Sequence, residues 1–224
     1  MDASLARRTA LVLTLGQAVI GSASPVALSI GGLAGFYLLD SDKSLATAPI
    51  TAFTLGVALG AIPAAAIVRA IGQRSGFQVG TLVTALGGAI TTMAFFMPSF
   101  WVFCFGMLVL GGGGAFVQQF RFAAADNAPL RFKAKAISWI LAGGVVTAVV
   151  GPQIVIFTRE AFAPVMFAGS FASIIALAAL GAVILLFLPR LNAGAGGPSG
   201  DTRPARPLGE IALQPVFLVG MLCA

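Results

Sequence analysis

Residues 100–125 read FWVFCFGMLVLGGGGAFVQQFRFAAA, and Asp126 follows them. The run exceeds the about 20 mostly apolar residues that a helix needs to cross a bilayer. One charge, Arg121, lies within it. Placing a cation in hydrocarbon costs about 2.5–3.5 kcal/mol on insertion scales, so such a residue normally faces a partner or a water-filled cavity and often marks a substrate path. The Gln118-Gln119-Phe120-Arg121 cluster, behind four glycines at 111–114, therefore puts a polar feature inside a membrane helix.

The whole chain shares this character. Of its 224 residues 58% are hydrophobic and 9% charged, with a mean hydropathy of +1.01. A soluble domain carries about 25% charged residues, so an ordinary soluble globule is excluded. The net charge is +6, from 13 Lys and Arg against 7 Asp and Glu. The basic residues sit in short segments between apolar runs, which is a signal of membrane topology and not a nucleic-acid surface. There is no His, which removes the commonest general base and metal ligand. Cys104 and Cys223 fall in apolar runs and read as small hydrophobes, not as a disulfide or metal pair. No catalytic residue, metal or cofactor is expected.

Six stretches are long enough to span a membrane: 9–39, 48–71, 77–97, 100–125, 136–157 and 164–188. Pro25 offers the first a place to bend. Arg7 and Arg8 before an apolar run, with Ser22-Ala23-Ser24 beyond, have the outline of a secretory leader. The run continues to Leu39, however, longer than a leader's core, and reads as a first span. A seventh run starts at Gln214 and reaches Ala224. About 11 residues cannot cross ~30 Å as a helix, so the chain is expected to be a fragment ending inside a helix. The expected organisation is an all-α membrane protein: a six-helix bundle at 1–191, a flexible linker at 192–209 rich in Gly, Pro, Ala and Arg, and the truncated start of a second bundle at 210–224.

Alternating spans put Arg7, Arg8, Arg69, Arg74, Arg131, Lys133, Lys135, Arg190, Arg203 and Arg206 on one side. The other side holds Lys43 and Arg159, each beside an acid. This bias predicts a cytoplasmic N-terminus and a cytoplasmic linker in a bacterial inner membrane. Gly31 and Gly35, Gly56 and Gly60, and Gly76 and Gly80 have G-x-x-x-G spacing, read first as close helix packing.

Six spans, a cytoplasmic linker and a further apolar run resemble the first half of a major facilitator superfamily transporter. The family's loop between its second and third spans reads G-x-x-x-D-R-x-G-R-R; residues 65–74 here read AAIVRAIGQR. Gly72 matches the central glycine and Arg74 the final basic residue, whereas Arg69 replaces the acid and has the wrong sign for the latch that acid makes. Arg121 and Asp126 resemble the family's fourth-span arginine and the acid that follows it. The resemblance implies a gate in which Asp126 pairs with Arg74 or Arg121. In the fifth span only the Gly151-Pro152 core of the antiporter signature is kept, and no direction of transport is read from it.

Transport by alternating access needs polar groups near the midplane between two bundles. The candidates for substrate binding are Gln17, Gln118, Arg121 and Gln153, and those for gating are Arg69, Gly72, Arg74, Asp126, Gly151 and Pro152. Each has a plainer alternative. Gln17 can hydrogen-bond a neighbouring helix, and Arg121 can pair with Asp126 or snorkel to the interface. Gln118 and Gln119 point about 100° apart, so at most one faces a cavity. Trp139 reads as an interfacial anchor. All the acids fall in loops or at span ends, so this half shows no proton carrier. The expected partners are a small-molecule substrate, the lipid bilayer and a C-terminal six-helix half. An intramembrane hydrolase lacks its His or paired acids, and a nucleotide-driven pump lacks G-x-x-x-x-G-K-[ST]. The alternative is a half-size structural or regulatory subunit that dimerises.

Overall fold

The computed structural model describes residues 3–39, 43–126 and 128–189. Among these residues every regular element is an α-helix: α1 Ala3–Ile20, α2 Ala23–Leu38, α3 Ala48–Ile71, α4 Gln73–Phe96, α5 Phe100–Gln118, α6 Phe120–Asp126, α7 Leu130–Thr158 and α8 Ala168–Leu186. They form six runs long and apolar enough to cross a membrane, with α1 and α2 sharing the first and α5 and α6 the fourth. The expected linker at 192–209 and the run from 214 lie outside the described residues, as do Asp2, Asp40, Asp42 and Arg190.

Two spans are broken, for different reasons. Pro25 has no N–H, so the Gly21 carbonyl loses its usual donor four residues on. The Ser24 N–H reaches that carbonyl instead, at 3.2 Å, and the Ser22 Oγ donates to Ala18 O at 2.7 Å. The bend expected from Pro25 thus falls one turn upstream of it, at residues 21–22. The fourth span breaks without a proline. There the Gln119 N–H closes a tight turn onto Phe116 O at 3.0 Å, and α6 restarts as Ala123 N–H donates to Gln119 O at 2.9 Å. Pro63 and Pro152, by contrast, sit inside continuous helices.

Helix ends also differ from the hydropathy reading. α7 starts at Leu130 rather than at 136, so Arg131, Lys133 and Lys135 occupy its first turns and not a loop. α4 starts at Gln73 rather than at 77, which puts Arg74 in its first turn. Hydropathy marks where a helix enters hydrocarbon, whereas the helix itself persists through Lys and Arg, which are good helix formers.

Gly72 alone separates α3 from α4. Its φ of 85° and ψ of 161° lie in a region essentially closed to side-chain-bearing residues. Directly beyond it, a Cβ on Gly76 would come within 2.8 Å of Val68 Cα, so the two helices leave the turn in contact. We expect Gly72→Ala to lose about 1–3 kcal/mol of stability. An unchanged melting temperature in detergent would contradict that reading of the turn.

The bundle packs around α5. α3 lies against it through Gly56 and Gly111: a Cβ on Gly56 would land on the Leu108 carbonyl, and one on Gly111 on the Phe53 carbonyl. α4 crosses its other side, where a Cβ on Gly87 would sit 2.6 Å from Leu110 N. The G-x-x-x-G pair at Gly56 and Gly60 is therefore a packing face, as its spacing suggests. Gln78 Nε2 ties α4 to α8 with a 2.8 Å bond to Ala182 O. One apolar cluster centres on Phe95, Phe103 and Phe171, with Phe95 stacked on Phe171 at 5.5 Å and Phe103 edge-on to both. A second, at the end carrying the chain's first helix, joins Leu13, Phe77, Phe120, Ala136 and Leu188, with Phe77 edge-on to Phe120 at 4.7 Å.

Candidate functional site: a polar cleft at two broken helices

Both breaks open onto one cleft. It has a volume of about 320 Å³ and is lined by residues of the first, fourth and fifth spans. From the first span come Gln17, Gly21, Ser24, Pro25 and Leu28; from the fourth, Gly114, Val117, Gln118 and Arg121; from α7, Ile140, Leu141, Gly144 and Thr147. This volume lies at the low end of the roughly 300–1,000 Å³ of small-molecule pockets.

Glycines make the space. Gly143 is needed for packing, since a Cβ there would sit 2.8 Å from Thr14 O. Its neighbour Gly144 faces open space, where a Cβ would meet no atom within 4 Å. Gly114, the last of the four-glycine run, likewise would meet only ordinary contacts, Val57 Cγ2 at 3.6 Å and Ser24 Oγ at 3.7 Å. The run thus divides its work: Gly111 and Gly113 admit α3 and α4, and Gly114 opens the cleft.

The polar groups are few and placed by the breaks. Gln17 sits one turn before the first break, and its amide lies over Gly21, 2.8 Å from where a Cβ would be. Ser24, in the first turn of α2, lines the same wall. Across the cleft, an Arg121 Nη2 N–H donates to Gln118 Oε1, spanning the second break. Both side chains are exposed. The Thr147 hydroxyl donates to Gly144 O at 2.6 Å.

Of the four residues read from sequence as substrate contacts, the cleft gathers Gln17, Gln118 and Arg121. Gln119 does not line it, in keeping with its angle from Gln118. Gln153 is not brought in: it is exposed on α7, about 180° around the helix from Gly144. Trp139 packs edge-on to Phe132 at 5.5 Å, with Lys135 Nζ 5.8 Å from its ring, away from the cleft. Ser24, Gly114, Gly144 and Thr147 are lining residues that the sequence does not single out as site residues.

The residues read as a gate are dispersed. Among the described residues the only ion pair is Arg159 with Glu160, at 3.1 Å. Asp126 is exposed and pairs with neither Arg74 nor Arg121 in this conformation, because Arg121 turns back to Gln118. Arg69 is exposed and donates to its own helix at Ala65 O, 3.3 Å away. Gly151 meets the first span at its bend, where a Cβ would lie 2.5 Å from Pro25 Cβ, with Pro152 next to it.

The family profile of the Major Facilitator Superfamily matches residues 9–224. The chain belongs to the major facilitator superfamily. As a superfamily member with six apolar helices it is a multi-pass integral membrane protein. It is 43% identical over 222 residues to the riboflavin transporter RfnT of Brucella anthropi, covering 98% of this chain and 55% of that protein. It is 30% identical over 152 residues to the uncharacterized MFS-type transporter YdeG of Bacillus subtilis, covering 68% of this chain and 35% of the relative. A second Bacillus subtilis protein, the uncharacterized MFS-type transporter YddS, is 30% identical over 151 residues, covering 67% and 34%. The chain thus spans about half the length of the first relative and about a third of the other two.

Proposed function

We propose that this chain is the N-terminal six-helix half of a secondary transporter that carries riboflavin, or a closely similar flavin, by alternating access. The observation that carries the reading is the 43% identity to a riboflavin transporter over nearly the whole chain. The cleft supports it. It lies where two broken helices meet α7, holds amide, hydroxyl and guanidinium groups, and is otherwise apolar. A flavin needs both, an apolar wall for its ring and hydrogen bonds for its carbonyls and hydroxyls. Broken membrane helices at a midplane site are a recurrent way to expose polar groups to a solute.

The proposed second half would seat on the least enclosed spans. Only 17% of the apolar window of α3 and 28% of that of α7 are buried, and Ile62 and Phe157 are each 80% exposed. The N-terminus and the 192–209 linker would face the cytoplasm of a bacterial cell. The described basic residues Arg7, Arg8, Arg74 and Arg131 belong to helix ends gathered at the second apolar cluster, as a positive-inside arrangement requires. In the rocking motion, Gly72 and the Gly151-Pro152 step against Pro25 are the proposed flexing points, with Arg69, Arg74 and Asp126 free to pair in another state.

The test is uptake of tritiated riboflavin by the full-length protein in proteoliposomes, with Arg121→Ala beside it. We expect saturable uptake by the native protein and its loss in the variant, at an equal amount of inserted protein. Native rates in Arg121→Ala would remove that residue from the mechanism, and no uptake by the native protein would remove riboflavin.

A further inference from the structure

The bond between Arg121 and Gln118 limits what the fourth-span wall can recognise. A glutamine amide offers an acceptor oxygen and two N–H donors. Here the guanidinium takes one of the two Oε1 lone pairs, so Gln118 presents its NH2 group and a single remaining lone pair. Arg121 has no acceptor at all and retains N–H groups beyond the one it uses. Both side chains are exposed and line the same cleft, and no Asp or Glu is among its lining residues.

We propose that Gln118 and Arg121 form a donor-rich edge that favours paired carbonyl oxygens on a planar heterocycle, such as a pyrimidinedione, over rings bearing amino groups at those positions. The choice of ring rests on the flavin reading above. The donor-rich character rests on the two side chains alone. The pair sets specificity in two ways. It supplies several N–H groups to an acceptor-rich edge, and it sets an amino substituent's own N–H groups against a cation, with a single amide lone pair beside it.

The experiment measures riboflavin uptake by the full-length protein in proteoliposomes against two competitors. One is lumichrome, which keeps both ring carbonyls and lacks the ribityl chain. The other is the same tricycle with amino groups replacing the two carbonyls. Hydrogen bonds to a charged group predict at least about a tenfold preference for lumichrome. In Gln118→Glu the introduced carboxylate neutralises Arg121 and faces the cleft as an acceptor. The preference should then collapse or invert, and KM for riboflavin should rise about tenfold with kcat changed much less. Arg121→Lys, which keeps the charge without the fork, should raise KM while keeping the order of the two competitors. Equal competition in the native protein, or an unchanged order in Gln118→Glu, would overturn the proposal. Should the native protein not take up riboflavin, the competitors are compared by direct binding to the purified full-length protein. Preference for lumichrome then keeps the donor-rich edge while the riboflavin reading fails, and absence of preference sinks both.

Discussion

Gly144→Leu in the full-length protein is expected to abolish the proposed riboflavin uptake while leaving the protein folded and inserted. Gly144 lines the cleft, and a Cβ there would meet nothing within 4 Å. The new side chain therefore has somewhere to go, and that place is the cleft of about 320 Å³. A leucine would fill much of such a space with apolar atoms opposite Gln118 and Arg121. The expected melting temperature is within a few degrees of native, since the added side chain meets open space and displaces no packed atoms. Gly144→Ala, which adds only one methyl group, should retain part of the uptake. Native uptake in Gly144→Leu would show that the solute passes elsewhere.

Gly111→Val should do the reverse, destroying the bundle before any question of transport arises. A Cβ at Gly111 would clash with the Phe53 carbonyl, so the obstacle is α3 backbone rather than a side chain that can turn aside. Overpacking a core by a methylene or two typically costs about 1–3 kcal/mol. Here two whole helices must separate, and the facing Gly56 contact with Leu108 opens with them. We expect a loss of at least about 3 kcal/mol, seen as aggregation on detergent extraction or degradation in the membrane. A monodisperse Gly111→Val protein with a native melting temperature would contradict the close approach of α3 and α5.

These two glycines show where the sequence is legible and where it is not. All six spans are legible, because a run of about 20 apolar residues has few other stable fates. Pro25 announces the first bend, since the missing N–H has a fixed consequence. The Gln119 break has no such marker: it depends on a local tightening that neither Gln118 nor Phe120 dictates. Hydropathy also places the starts of α4 and α7 too late, because Arg74 and Arg131 leave the hydrocarbon without leaving the helix.

The cleft is legible in part. A polar cluster in an apolar run marks Gln118 and Arg121, and their spacing of three makes their contact possible. Gln17 stands out for the same reason. Gln153 follows the same logic but lies on the far face of α7, a distinction that depends on how that helix is rotated against its neighbours. No rule of spacing separates Gly143, which packs on Thr14, from Gly144, which faces open space. The sequence of α7 supports either rotation; the bend in the first span, which brings Pro25 against Gly151, selects one.

Occupation of this cleft by a flavin during transport can be read by thiol labelling of Gly144→Cys, in full-length protein whose native cysteines, Cys104 and Cys223 among them, are replaced by alanine. The expected result is modification by a water-soluble maleimide that slows as riboflavin is added, with half-protection near the KM for uptake. Labelling that saturating riboflavin leaves unchanged, in a preparation that still takes up riboflavin, would mean that the flavin crosses the membrane without entering the cleft.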